Sequence, residues 1–199
     1  ASDVYKRQVW LNGGSTLKYP NNFSDKKRNV VLDGEGYFEV TSRNGVPFTV
    51  STSAYDIIVK GTKFNVCAYD IDATSLTSLI EGKIEIDYKD ELYEVSPGEG
   101  VCINKNKGTV ESFRSDVDDS NAWIDGRIEY EKITLADFAA KLSRKYGVEV
   151  CIENNEIKCH TFRISLKNNE TLVQVLDGLQ LIIPVSYTHL RAHETLANL

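Results

Sequence analysis

The chain reads as an all-β domain, a two-sheet sandwich or β-roll, followed by a small α+β domain of β-α-β-β-α-β order. Three observations predict this. Short period-two strands recur at close intervals as far as Phe113. The apolar spacing then changes from strand-like to helix-like beyond an acidic stretch, Ser115 to Asn121. Two later segments repeat one helical stripe: Thr134-Leu135, Phe138, Ala139 and Leu142 align with Thr171-Leu172, Val175, Leu176 and Leu179. The expected division is residues 9–114 for the β domain, 115–122 for an acidic linker and 123–185 for the α+β domain.

Along the β domain, Val9 to Asn12 forms a strand before the turn Gly13-Gly14-Ser15, and Thr16 to Tyr19 a second strand stopped by Pro20. Val30 to Val40 is the central strand, with Leu32, Gly36, Phe38 and Val40 on its inner side and Asp33, Glu35, Tyr37 and Glu39 on its outer side. Asn44-Gly45 supplies a turn, because both residues tolerate positive φ. Strands follow at Phe48 and Val50, at Ile57 to Val59 and at Phe64, Val66 and Ala68, the last behind Gly61. Further strands are expected at Ser75 to Ile80, Lys83 to Tyr88, Glu91 to Val95, Val101 to Ile103 and Thr109 to Phe113, with Pro97-Gly98-Glu99-Gly100 turning between two of them.

In the second domain, Arg127 to Tyr130 is a strand and Thr134 caps a helix through a Thr-x-x-Asp sequence ending at Asp137. Gly147 ends that helix. Strands are expected at Val148 to Ile152 and at Thr161 to Leu166, before a second helix opened by Thr171 with Gln174 three residues on. The last strand of this order, after Leu181-Ile182-Ile183-Pro184, is expected to be cut off, with Ser186 to Leu199 in its place.

The composition excludes several functions. With 199 residues and 41% hydrophobic content the chain has ordinary soluble cores and is not disordered. A net charge of −6 argues against nucleic acid as a partner, and the one basic cluster, Lys26-Lys27-Arg28, reads as a solvated loop. No apolar run approaches the roughly 20 residues needed to cross a bilayer. Four cysteines, Cys67, Cys102, Cys151 and Cys159, permit one disulfide by spacing, Cys151 with Cys159 across a hairpin, and equally permit unbridged thiols. There is no CxxC pair to suggest zinc.

Catalytic constellations are weak. His160 is the one histidine in the body of the chain, and it neighbours Cys159 in a strand, where adjacent side chains point to opposite faces. Glu35 with Glu39, and Glu81 with Glu85, share strand faces but read as solvated carboxylates. Three aspartates, Asp116, Asp118 and Asp119, lack the glycine and distal glutamate of a calcium loop. No phosphate-binding glycine loop precedes a helix. No catalytic residue, metal or cofactor is therefore expected. A second reading is a glycan-binding or adhesion module, with Trp10, Tyr19, Tyr37 and Tyr55 as stacking platforms.

Four ordered runs, Gly34-Glu35-Gly36-Tyr37-Phe38-Glu39-Val40, Pro47-Phe48-Thr49-Val50, Gly61-Thr62-Lys63-Phe64-Asn65-Val66 and Glu81-Gly82-Lys83-Ile84, resemble the FecR family. So does Trp10-Leu11-Asn12-Gly13-Gly14-Ser15. The resemblance implies the periplasmic part of a regulator anchored in the inner membrane of a Gram-negative bacterium. It also implies an extracytoplasmic-function sigma factor as partner, bound by a cytoplasmic segment that normally precedes this region with one transmembrane helix.

The second domain is similar to the short N-terminal domain shared by secretins and TonB-dependent transporters, which implies a signal received from the signalling domain of an outer-membrane TonB-dependent transporter. The expected contact is strand pairing at Thr161, Phe162, Arg163, Ile164, Ser165 and Leu166. Both ends depart from the family pattern. Residues 1–8 and 186–199 resemble translated adapter sequence, so His189 and His193, although spaced i, i+4, are set aside as metal ligands.

Overall fold

The structure, a computed structural model, describes residues 8–23, 28–115, 122–167 and 170–187. It divides into two compact units, Ala1–Ile124 and Asp125–Leu199.

The first unit begins with the strands Gln8–Leu11 (β1), Thr16–Lys18 (β2) and Arg28–Val40 (β3). Phe48–Ser51 (β4), Asp56–Val59 (β5), Thr62–Ala68 (β6) and Thr74–Glu81 (β7) follow. Ile84–Tyr88 (β8), Glu91–Val95 (β9), Glu99–Asn104 (β10) and Thr109–Arg114 (β11) complete it. These make one continuous eleven-stranded sheet in the order β11-β10-β7-β6-β3-β4-β5-β8-β9, with β1 and β2 also paired to β3. The two sheets of a sandwich are thus halves of one curled sheet, as in a roll.

β3 is the strand on which the sheet turns. Its first half, as far as Asp33, pairs antiparallel with β2 and parallel with β4, while its second half, from Gly34, pairs antiparallel with β1 and β6. Along it, residues 28, 30, 32, 34, 36, 38 and 40 are all buried, which is the alternation a one-faced strand requires. Both halves feed one apolar core. Val30, Val50, Ile57 and Ile86 come from one side and Phe38, Phe64, Val66 and Ile103 from the other. Phe38 stacks on Phe64 at 5.1 Å and meets Phe48 across the core at 6.5 Å.

Gly34 is where β3 changes partners, and its φ of +129° is closed to residues with a side chain. A Cβ there would lie 2.4 Å from the Cβ of Ser15 in the β1–β2 turn. Arg28 corrects the solvated-loop reading. It is 1% exposed, donates to the carbonyls of Thr41 (3.1 Å) and Val46, and stands over the Phe48 ring. Its even position in β3 points it inward with Val30 and Leu32, and the two carbonyls compensate its desolvation. Lys26 and Lys27 lie outside the described residues.

The second unit contains Ile128–Thr134 (β12), the helix Leu135–Tyr146 (α1), Thr161–Leu166 (β13) and the helix Leu172–Ile182 (α2). Both helix starts form as their sequences require. Thr134 Oγ1 accepts the Asp137 N–H at 3.1 Å, and Thr171 with Gln174 makes a complete capping box. Gly147 closes α1 in the left-handed conformation. Phe138, Leu142, Phe162, Ile164, Val175 and Leu179 build the core, with Phe138 and Phe162 edge to face at 5.4 Å.

The expected β-α-β-β-α-β order is realised, among the described residues, as β-α-β-α. Val148 to Ile152 has the right alternation, with Val148, Val150 and Ile152 half-buried, but joins no ladder. Its backbone is engaged by the end of α1: Val148 N–H donates to the Ser143 carbonyl and Val150 N–H to Ser143 Oγ, 3.1 and 3.0 Å.

Candidate functional site

β13 alternates buried and exposed residues along its length. Phe162 and Ile164 point into the core while Thr161, Arg163 and Ser165 are exposed, so the strand is held from beneath and presents a polar upper face. Among the described residues its one ladder partner is β12, with Thr134 opposite Thr161 and Ile128 opposite Leu166 and an irregularity between Tyr130 and Ile133. No other strand of the described residues pairs with β13. Arg163 meets Glu131 at 2.7 Å with both side chains exposed, a contact worth at most about 1 kcal/mol.

Between β13 and α2 runs a groove of about 340 Å³, lined by Arg163, Ile164, Ser165 and Leu166 of the strand and by Gln174, Val175, Gly178 and Ile182 of the helix. α2 is apolar beyond its buried stripe: Val173, Leu181 and Ile182 are exposed, Leu181 to 90%. A Cβ placed on Gly178 would meet nothing within 4 Å. The six residues expected from sequence thus lie on one strand, and four of them line this groove. The α2 residues opposite were missed, although the apolar run Leu179-Gln180-Leu181-Ile182-Ile183, too wide for one buried stripe, was the available signal.

A second constellation was also missed. On the outer face of the roll, Glu35 accepts from Asn12 Nδ2 at 2.7 Å and from Asn65 Nδ2 at 3.1 Å. Asn65 Oδ1 in turn accepts the indole N–H of Trp123 at 3.0 Å. The Glu35 main chain accepts the Asn12 N–H and exchanges hydrogen bonds with Ser15 Oγ, and Tyr69 OH closes the turn on the Gly13 carbonyl at 2.8 Å. The polar residues of three separate sequence runs therefore meet at one point.

The glycan platform does not assemble. Tyr55 is buried in the core with its hydroxyl 3.0 Å from Thr77 Oγ1, and burial pushes its phenol pKa up. Tyr37 is buried beneath Trp10, whose ring meets it edge-on at 5.4 Å, leaving Tyr19 exposed away from any such pair. Cys67, Cys102, Cys151 and Cys159 form no disulfide, so Cys151 and Cys159 are not bridged. Burial, with Glu111 adding to it, raises the Cys102 thiol pKa, which opposes thiolate formation. Among the described residues no cluster of His, Cys, Asp and Glu is arranged to hold a metal, and no helix is long and apolar enough to cross a membrane. His189 and His193 lie outside the described residues.

A large curled sheet and a small second unit with two helices define a two-unit, mostly β protein. The sequence model of the FecR protein matches residues 6–85, and that of the FecR C-terminal region matches residues 127–195. The chain belongs to the FecR family, which is regulatory and non-enzymatic. Two crystal structures of a candidate anti-sigma factor from Parabacteroides distasonis ATCC 8503, at 1.65 and 2.50 Å, are similar to it at 28% identity. Their TM-scores are 0.86 and 0.84, covering 93% and 95% of this chain and 87% of each of theirs. No curated protein matches the chain.

Proposed function

We propose that this chain is the periplasmic part of an anti-sigma regulator held in the inner membrane, and that it receives its signal by strand addition at β13. The partner at that edge is the signalling domain of an outer-membrane TonB-dependent transporter. An extracytoplasmic-function sigma factor, bound by a separate cytoplasmic segment of the full regulator, carries the output.

One observation supports this reading above the others: β13, paired among the described residues with β12 alone, lines with Gly178 and the rest of α2 an apolar groove. Edge backbone groups supply affinity to an incoming strand, and a flanking groove selects its side chains. Family membership and the likeness to the Parabacteroides protein support the anti-sigma role.

Calorimetric titration of the chain against the signalling domain of the transporter encoded beside it tests the proposal. Saturable micromolar binding is expected, lost on Gly178→Leu, which fills the groove from a half-buried helix position where a Cβ meets nothing within 4 Å, and retained on Trp10→Ala. Absence of binding at high micromolar concentration, with the circular dichroism of a folded protein, would overturn it.

A further inference from the structure

The contacts around Asn65 have a consequence independent of any partner at β13. We infer that Trp123, Asn65, Glu35 and Asn12 form a latch, through which the seating of the Trp123 indole controls the β1–β2 turn.

Asn65 is 7% exposed, and its amide is used at both ends, Oδ1 by the Trp123 indole and Nδ2 by Glu35. A flipped amide would set its NH₂ against the indole N–H and its oxygen against the carboxylate, so the two neighbours jointly fix its orientation. Glu35 then divides its oxygens, Oε1 to Asn65 and Oε2 to Asn12. Asn12 begins the turn that Ser15 and Tyr69 complete, the same turn whose Ser15 packs on Gly34 where β3 changes partners.

Lifting Trp123 leaves the buried Asn65 oxygen without its donor. Reorienting Asn65 to recover one removes the donor from Glu35 Oε1, and the carboxylate is released to move with Asn12. Buried polar chains of this kind respond as units, since each bond polarises the next and a half-satisfied chain is costly. Ala122, 5% exposed, is buried just before the indole. Trp123 is in this sense a positioning residue for the β1–β2 turn.

Amide hydrogen exchange on the full chain tests the latch. Trp123→Phe keeps an aromatic ring and deletes the N–H donor. It is expected to speed exchange at the Asn12 and Ser15 amides about tenfold, as loss of roughly 1.4 kcal/mol of local stability requires, with Val50 and Ile58 unchanged. In an Asn65→Ala background the same substitution should add less than twofold. Linkage supplies the reverse arm: Asn12→Ala must speed exchange of the Trp123 indole proton by a similar factor. Multiplying effects, a uniform rise across all strands, or an indole proton indifferent to Asn12→Ala would each overturn the latch.

Discussion

Arg28 and Thr41 flank the length of one strand, yet the guanidinium of Arg28 donates to the Thr41 carbonyl at 3.1 Å. Thirteen residues of straight β-strand would span about 43 Å. The contact therefore requires β3 to fold back on itself, and the parallel pairing of Arg28 with Phe48 so soon after β3 ends requires the same. Arg28→Ala is expected to cost about 2–4 kcal/mol, through loss of two charge-assisted hydrogen bonds and buried packing. Arg28→Lys should recover only part, because an ammonium cannot present the guanidinium fork to both carbonyls. Urea unfolding midpoints of the two variants check this ordering.

The bend itself depends on Gly34. An alanine there combines a φ of +129° with contact to Ser15 at 2.4 Å, and neither can relax without displacing the β1–β2 turn. Gly34→Ala should destabilise the protein by about 1–3 kcal/mol from the backbone conformation alone. Adding Ser15→Gly should leave most of that cost in place, because the Ser15 Cα, 2.6 Å from the new Cβ, remains. Denaturation midpoints of the single and double variants check this.

Tyr55 predicts how the roll responds to alkali. Its phenol is raised from the ordinary 10.0 by burial. Above pH 10 the unfolded chain therefore binds fewer protons at this site than the folded one, and stability falls as pH rises. Below pH 10 the contribution is fully present. Tyr55→Phe should flatten this alkaline decline while costing about 1 kcal/mol at neutral pH, the net worth of its hydrogen bond to Thr77. Unfolding measured from pH 7 to pH 11 on both proteins gives the comparison.

Period-two spacing carried most of the β domain because a curled sheet buries one face of nearly every strand, as the alternation in β3 and in Ile84 to Tyr88 shows. Helix starts were equally legible, since a capping box is local. Contacts that depend on register were not. Asn65 lies 30 positions from Glu35 and 58 from Trp123, and alternation fixes the face of a residue but not which residue stands opposite. Arg28 was misread because charge argued for solvent while only its even position in β3 argued for the core. Val148 to Ile152 has the pattern of a strand, but the Ser143 carbonyl and hydroxyl engage its backbone. Thr161 to Leu166 was readable as a strand; the groove beside it needed the placement of Gly178 and Ile182.

Gly178 separates what the fold needs from what recognition needs. Glycine inside a helix is about 0.5–1 kcal/mol less favourable than alanine, and at this position no neighbour within 4 Å opposes a Cβ. Gly178→Ala should therefore stabilise the free protein by about that amount, visible as a higher unfolding midpoint. The added methyl stands in the groove, where a strand paired to β13 would pass, so affinity for the transporter signalling domain should fall as stability rises. Stability gained alongside affinity lost would assign the glycine to close approach of a partner. Stability gained with affinity unchanged would move the contact along β13 toward Thr161, away from the end of α2.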